Sequence, residues 1–265
     1  VSVSWAAYRR ARRRSRAAWA LLAVAALALL SGLFWFFTAG QFAAAGPSLP
    51  GPTVAPVFEP GWMKPVAPVH PVPAGAAGNV LNGLPVKGRA GKGGYKREAF
   101  GAAWLDMDHN GCDTRNDILR RDLADVRFSE GSRCNVAAGR FTDPYTARGI
   151  NFNRGPDSSQ AVQVDHVVAL ADAWQKGAQQ LSPAQRTALA NDPLNLIAVD
   201  GAANQEKGAG DAATWLPPNK SIRCHYVARQ ISVKAAYGLW VTAAEKDAMN
   251  RVLGSCPGQQ AIRVP

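Results

Sequence analysis

Acidic side chains, cysteines and histidines are all scarce in this chain. Its 265 residues hold 19 Asp and Glu against 30 Lys and Arg, with four cysteines and four histidines. Four cysteines rule out a disulfide-packed toxin and 25 glycines rule out a collagen repeat, while a hydrophobic share of 47% rules out a wholly disordered chain. The cysteines include no CxxC pair, which sets aside a zinc site built from four thiolates. Acids are missing altogether from the first 16 residues, where six arginines cluster between Arg9 and Arg16. Leaving out those six takes the net charge from +11 to +5, so the basic balance belongs partly to this tail and argues only weakly for a nucleic-acid partner.

Charge is also absent from Ala17 to Ala39, a run of 23 residues. As a helix it would span about 34 Å, enough for a hydrocarbon core of about 30 Å. The basic residues 1–16 are expected to form a cytoplasmic tail, and residues 17–39 a single-pass transmembrane helix that leaves the C-terminal part extracellular. A long signal sequence, cleaved after the Ala43-Ala44-Ala45 stretch to give a secreted protein, is the alternative, although signal cores are usually shorter. Residues 40–79 read as a linker: nine prolines between Gly46 and Gly78 oppose helices and sheet ladders and favour an extended spacer. Residues 80–265 are long enough for one sizeable core.

All four cysteines, Cys112, Cys134, Cys224 and Cys256, lie in that last region. In an exported domain they read as disulfides with three possible pairings, of which proximity favours Cys112–Cys134 and Cys224–Cys256. A helix is expected from Thr114 to Asp125, with Ile118, Leu119 and Leu123 on one stripe. Val126–Phe128 and Cys134–Phe141 read as a hairpin. Short strands are expected at Ala161–Val164 and Leu194–Val199. Ser182-Pro183 opens a helix to about Ala190. Another helix runs from Ser221 to Tyr237, and Thr242 with Glu245 forms a capping box for a last helix that stops at Gly254. Short strands scattered among helices indicate an α+β domain.

Asp165-His166 ends the apolar strand Ala161–Val164. Neighbours on a strand point to opposite faces, so both side chains reach one site only where the strand ends or bends. By itself the dipeptide is a weak signal, more often a core histidine than a catalytic one. Further along, Asn195 opens the second strand and Asn204 follows nine residues later, near the start of a short helix. The order is then strand, long loop, strand, helix, with two helices inside the loop.

With these features the sequence resembles the HNH (ββα-metal, His-Me finger) endonucleases, and most closely their exported bacterial branch related to the C-terminal nuclease domain of GmrSD-type restriction enzymes. The resemblance rests on the ordered set Gly111-Cys112-Asp113-Thr114-Arg115, Asp143-Pro144-Tyr145-Thr146, Asp165-His166-Val167-Val168, Ala173-Trp174, Ala190-Asn191-Asp192-Pro193, Asn195-Leu196, Asn204, Lys207 and Trp215-Leu216-Pro217-Pro218. It covers about Tyr95 to Leu253. It implies a ββα-metal core inside the mixed domain and hydrolysis of a nucleic acid, DNA before RNA, outside the cytoplasmic membrane and without base-specific readout. His166 would be the general base, Asp165 and Asn204 the ligands of Mg²⁺ (with Mn²⁺ as a substitute), and Asn195 the residue that ties down the loop positioning His166. Asparagine replaces the last histidine of the H-N-H pattern, which shifts metal preference towards oxygen-liganded cations.

Lys207, three residues after Asn204, is expected on the same helical face as a phosphate contact or as a solvated lysine, and Arg115 either as a phosphate contact or as the partner of a nearby acid. A second pattern competes: Asp106, Asp108, Asn110 and Asp117 follow the EF-hand loop spacing except for the last ligand, giving Ca²⁺ binding as a minority reading. A non-catalytic surface module binding nucleic acid or calcium is the rival function. No obligate protein partner is expected, and the membrane enters only through the N-terminal helix.

Overall fold

A computed structural model describes residues 68–263 except Asp157. The basic tail, the 17–39 apolar run and most of the proline-rich segment lie outside the described residues. None of the helices among the described residues is long and apolar enough to cross a membrane.

The chain enters through Val69 and Val72, which pack on the core, and then forms α1 (Ala77–Gly83), so regular structure begins slightly before residue 80. Helix α2 (Thr114–Asp122) starts where Asp113 accepts the Asn116 N–H, which satisfies one of the unpaired donors of its first turn. It is shorter than its apolar stripe indicates, because the chain turns into a strand at Ala124. Strands β1 (Ala124–Phe128), β2 (Val136–Thr142) and β3 (Gly149–Asn153) form an antiparallel sheet in that order. The first two are the expected hairpin. The third, Gly-Ile-Asn-Phe-Asn, has only two apolar residues and gives almost no sequence signal.

A separate ribbon pairs β4 (Val162–His166) with β5 (Leu196–Asp200), antiparallel, with Asp165 opposite Ile197 and His166 opposite Leu196. Between these strands the chain makes α3 (Leu170–Gln175) and α4 (Pro183–Asn191). Ser182 and Gln185 form a capping box at α4 with proline in its first turn. Helix α5 (Gly201–Lys207) follows β5 directly, with Asp200 accepting the Ala203 N–H. Its first residue must be glycine, since a Cβ there would lie 1.9 Å from the Gln160 carbonyl oxygen. Helices α6 (Arg223–Ala236) and α7 (Ala243–Leu253) complete the fold, α7 opening on the Thr242–Glu245 capping box.

The Cys112–Cys134 and Cys224–Cys256 disulfides form, leaving no free cysteine among the described residues. The sheet and the ribbon share one apolar cluster of Ile118, Leu119, Phe141, Phe152, Val164 and Leu196. Two more clusters pack α6 against α1, α7 and the end of α4. Among these apolar clusters lies a buried ionic network. Lys176 Nζ is 2.8 Å from Asp172, 2.7 Å from Asp211 and 2.6 Å from Glu245, while Lys234 contacts Glu245 at 3.1 Å. Arg89 closes it with bonds of 2.8 Å to Asp172 and 2.6 Å to Asp211. Breaking such a network by removing one member strands a buried charge, so it fixes the relative placement of α3, α6 and α7.

Candidate functional site

Strand β4 ends at His166, and there the alternation of faces stops separating neighbouring side chains. Asp165 and His166 both line one cleft of about 300 Å³, together with Arg97, Val164, Asn204 and Gly208. The three positions named from sequence therefore share a single concavity between the end of the ribbon and helix α5.

Asp165 is buried, and its carboxylate accepts a 2.6 Å hydrogen bond from the Tyr145 hydroxyl. Lys207 Nζ lies 2.9 Å from the same carboxylate and donates to the His166 carbonyl at 2.8 Å. Instead of a surface phosphate contact or a solvated lysine, Lys207 is thus a wholly buried ammonium. The helical spacing from Asn204 is as expected, but the face is different: α5 turns this residue towards the ribbon, because Asp165 and the neighbouring carbonyl are there to bind it. Asn204 is half-buried and donates through Nδ2 to Gln163 Oε1 at 2.8 Å, and its Oδ1 has no donor among the described residues.

His166 Nε2 is 2.9 Å from the Ala190 carbonyl oxygen. A carbonyl only accepts, so Nε2 carries the proton and Nδ1 keeps the lone pair. Burial pushes the imidazole down to about 3, with a smaller contribution in the same direction from the Arg97 and Lys207 charges, while the bond to Ala190 opposes the shift. The ring is therefore neutral at physiological pH. Trp104 stacks against it, centroids 6.2 Å apart and planes 18° from parallel. Trp104 holds a left-handed φ of 60°, sparsely populated for a bulky residue. A second, more apolar cleft of about 260 Å³ begins on the other side of His166 and Arg97, lined by Trp104, Phe100, Leu170 and Ala190.

Asn195 is fully buried. Its Oδ1 accepts the Val168 N–H at 2.9 Å, and its Nδ2 donates to the Leu189 carbonyl at 3.2 Å and the Val168 carbonyl at 3.4 Å. These bonds join the segment after His166 to the end of α4, which also supplies the Ala190 carbonyl. The neighbouring carbonyls of Pro193, Leu194 and Leu196 are taken by Arg229, and those of Pro193 and Leu196 also by Arg121. The turn leading into β5 is therefore rigidly held by buried side chains.

Arg115 lies elsewhere, beside Arg154 and Asp113, and burial with the Arg154 charge lowers its guanidinium below the ordinary value. It lines neither cleft at His166. In the EF-hand-like segment the carboxylates turn onto the Asn110 amide groups: Asp106 and Asp108 accept its backbone N–H, and Asp108 and Asp117 accept its side-chain N–H bonds. No α-helix leads directly into this loop; the element just before it is a 3₁₀ turn at Arg97–Phe100. Among the described residues no group of three or more acid, histidine or cysteine side chains is arranged to hold a metal ion. Burial, together with the nearby Asp108, Asp113 and Asp106 charges, raises Asp117 to about 6 despite its bond from Asn110.

Sequence reasoning missed Arg97 and Trp104. Both reach His166 from about 60 to 70 residues upstream through a segment with no periodic signal. Tyr145 belongs to the quoted motif set and is a buried donor to Asp165.

Fold and site together define an α+β domain with a carboxylate, a neutral imidazole and a carboxamide gathered at the end of a two-stranded ribbon. Residues 113–252 match the family of the C-terminal domain of GmrSD restriction endonucleases. The chain belongs to that family. It is also 38% identical over 185 residues to an uncharacterized secreted protein of Arthroderma benhamiae, across 69% of this chain and 86% of the relative. No solved structure matches it.

Proposed function

We propose that the chain is an exported, metal-dependent endonuclease of HNH type, hydrolysing phosphodiester bonds of DNA with little sequence preference. The observation that carries this reading is the single cleft shared by Asp165, His166 and Asn204 in a member of a restriction-endonuclease domain family. Strands β4 and β5 with helix α5 correspond to the ββα element, widened by the α3–α4 insertion. Export is supported by the basic tail and apolar run of the sequence, by the two disulfides, and by the secreted relative.

The donor set fits a hard, oxygen-liganded cation that keeps most of its waters. Asn204 Oδ1 has no donor among the described residues, and the Asp165 carboxylate has lone-pair capacity beyond its bonds to Tyr145 and Lys207. Asp165 and Asn204 would hold Mg²⁺ or Mn²⁺, which supplies stabilisation of the charge that builds on the phosphate and leaving oxygen.

The remaining work falls to this chain's own groups. His166 takes a proton from water at Nδ1, its other nitrogen being fixed on Ala190. A base with so depressed a proton affinity is weak; the negative charge of a phosphodiester entering the cleft offsets the smaller Arg97 and Lys207 contributions, while the larger one from burial remains. Arg97, exposed at the cleft mouth, offers a charged contact to that phosphate. Asn195 keeps the Val168 and Leu189 segments together and acts as a positioning residue. The products would carry 5′-phosphate and 3′-hydroxyl ends.

The purified chain should nick supercoiled plasmid with Mg²⁺ or Mn²⁺ and stop in EDTA, and His166→Ala should abolish nicking while leaving the fold intact by circular dichroism. Equal nicking by wild type and His166→Ala overturns the assignment.

A further inference from the structure

Away from His166, a cleft of about 570 Å³ opens where α6 begins and α7 ends. Three basic side chains line it, Lys220, Arg223 and Arg251, and no carboxylate does. Lys220 and Arg251 are exposed, and neither forms a salt bridge among the described residues. Arg223 is anchored by donating from Nε to the Pro217 carbonyl at 2.7 Å. The rest of the lining is largely apolar, with Trp215, Leu216 and Val252. The Cys224–Cys256 disulfide ties the residue after Arg223 to the segment beyond Arg251, which fixes the separation of the two walls.

We propose that this cleft is a nucleic-acid exosite that holds the sugar-phosphate backbone of the substrate strand at a distance from the bond being cut. Its composition favours that occupant over an isolated phosphate. Cations without acids attract phosphates, and an aromatic ring among apolar side chains offers a surface to bases and sugars, the combination found in strand-binding grooves. Its position supports one strand reaching both places. Trp215 packs edge-on to Tyr145, centroids 5.0 Å apart, and the Tyr145 hydroxyl bonds Asp165 at 2.6 Å. One aromatic ring therefore separates the floor of the exosite from the catalytic carboxylate. Tyr226 holds Trp215 from another side, centroids 5.9 Å apart, so the ring is preset rather than recruited. The catalytic cleft offers a phosphate only Arg97, since Lys207 is committed to Asp165. A polyanion consequently needs further cations, and this cleft supplies three. The inference rests on the nuclease reading only for the identity of the ligand, because the charge and shape of the cleft exist independently of catalysis.

The test is binding of a fluorescein-labelled DNA duplex by the full chain, followed by anisotropy in EDTA at several salt concentrations. Lys220→Gln with Arg251→Gln removes two exposed cations whose side chains form no salt bridge or hydrogen bond among the described residues. Losing two phosphate contacts should flatten the slope of log affinity against log salt by about 1.8 and weaken binding roughly tenfold or more near 0.1 M salt. Lys220→Arg with Arg251→Lys should bind as wild type does. An unchanged slope in the glutamine variant overturns the exosite, as does a variant that loses affinity for inorganic phosphate alone. Plasmid nicking by wild type and His166→Ala is scored separately: a chain that cuts but keeps its salt slope refutes this inference alone, and one that binds through the cleft but never cuts refutes the nuclease reading alone.

Discussion

Lys207→Met keeps the stem of the side chain and deletes the charge. In the wild type the ammonium bonds Asp165 at 2.9 Å and the His166 carbonyl at 2.8 Å, with no solvent exposure. Removing one member of a buried pair costs about 3–5 kcal/mol, because the remaining charge keeps its desolvation cost without its partner. Asp165 would retain only the Tyr145 hydroxyl, and the His166 carbonyl would lose a donor worth about 1 kcal/mol. A loss of about 4 kcal/mol is therefore expected in urea denaturation with EDTA, large against the roughly 5–15 kcal/mol of a typical domain. The same geometry predicts partial rescue by a cation. If Asp165 is a metal ligand, Mn²⁺ can supply the missing positive charge, and at about a hundred times its Kd it returns about 2.7 kcal/mol. The gain should be greater in the variant than in the wild type, where the ammonium competes for the carboxylate. A loss under about 1 kcal/mol would refute the buried pair. Equal Mn²⁺ stabilisation of both proteins would refute a cation that shares Asp165 with Lys207.

Two further predictions follow from the same neighbourhood. The folded-state value of His166 is pushed down to about 3, so as pH falls from about 6.5 the unfolded chain binds a proton that the folded one refuses, and stability drops through that window by up to about 1.4 kcal/mol per pH unit. His225, lowered to about 4 by burial and by the Arg229 and Arg121 charges, adds to the same acid limb. Asp117, raised to about 6, acts in the opposite sense and loses stability as pH rises through that value. His166→Gln should shrink the stability difference between pH 4.5 and pH 7 by about 2 kcal/mol in urea titrations, and an unaltered pH dependence would contradict the buried neutral ring. Asn195→Ala should cost about 3 kcal/mol by stranding the Val168 N–H and Leu189 carbonyl, and Asn195→Asp should not rescue it, since a carboxylate oxygen would then face the Leu189 carbonyl. A denaturation midpoint like that of the wild type in either variant would show that these bonds do not hold the loop.

Sequence by itself determined most local elements of this protein. Ser182-Pro183 and Thr242 with Glu245 start helices because their side chains satisfy backbone N–H groups a few residues away, a purely local matter. The two disulfides pair near neighbours in sequence, and Asp165-His166 and Asn204 stand in an order that the ribbon and α5 bring to one place, with Asn195 buried behind them on the Val168 and Leu189 backbone. Tertiary structure alone decided which way Lys207 faces. Periodicity gives its angle around α5 but not what lies opposite, and what lies opposite is a buried carboxylate from a strand more than 40 residues earlier. The same limit hid Arg97 and Trp104, whose approach to His166 depends on a long-range fold of an irregular segment, and strand β3, which is held by pairing with β2 rather than by its own composition. It also hid the basic cleft, whose cations come from a 3₁₀ turn and two helices that only packing and a disulfide bring face to face. Hydrogen bonds within a few residues are written in the order of the letters, whereas burial and charge pairing are properties of neighbours that the letters do not name.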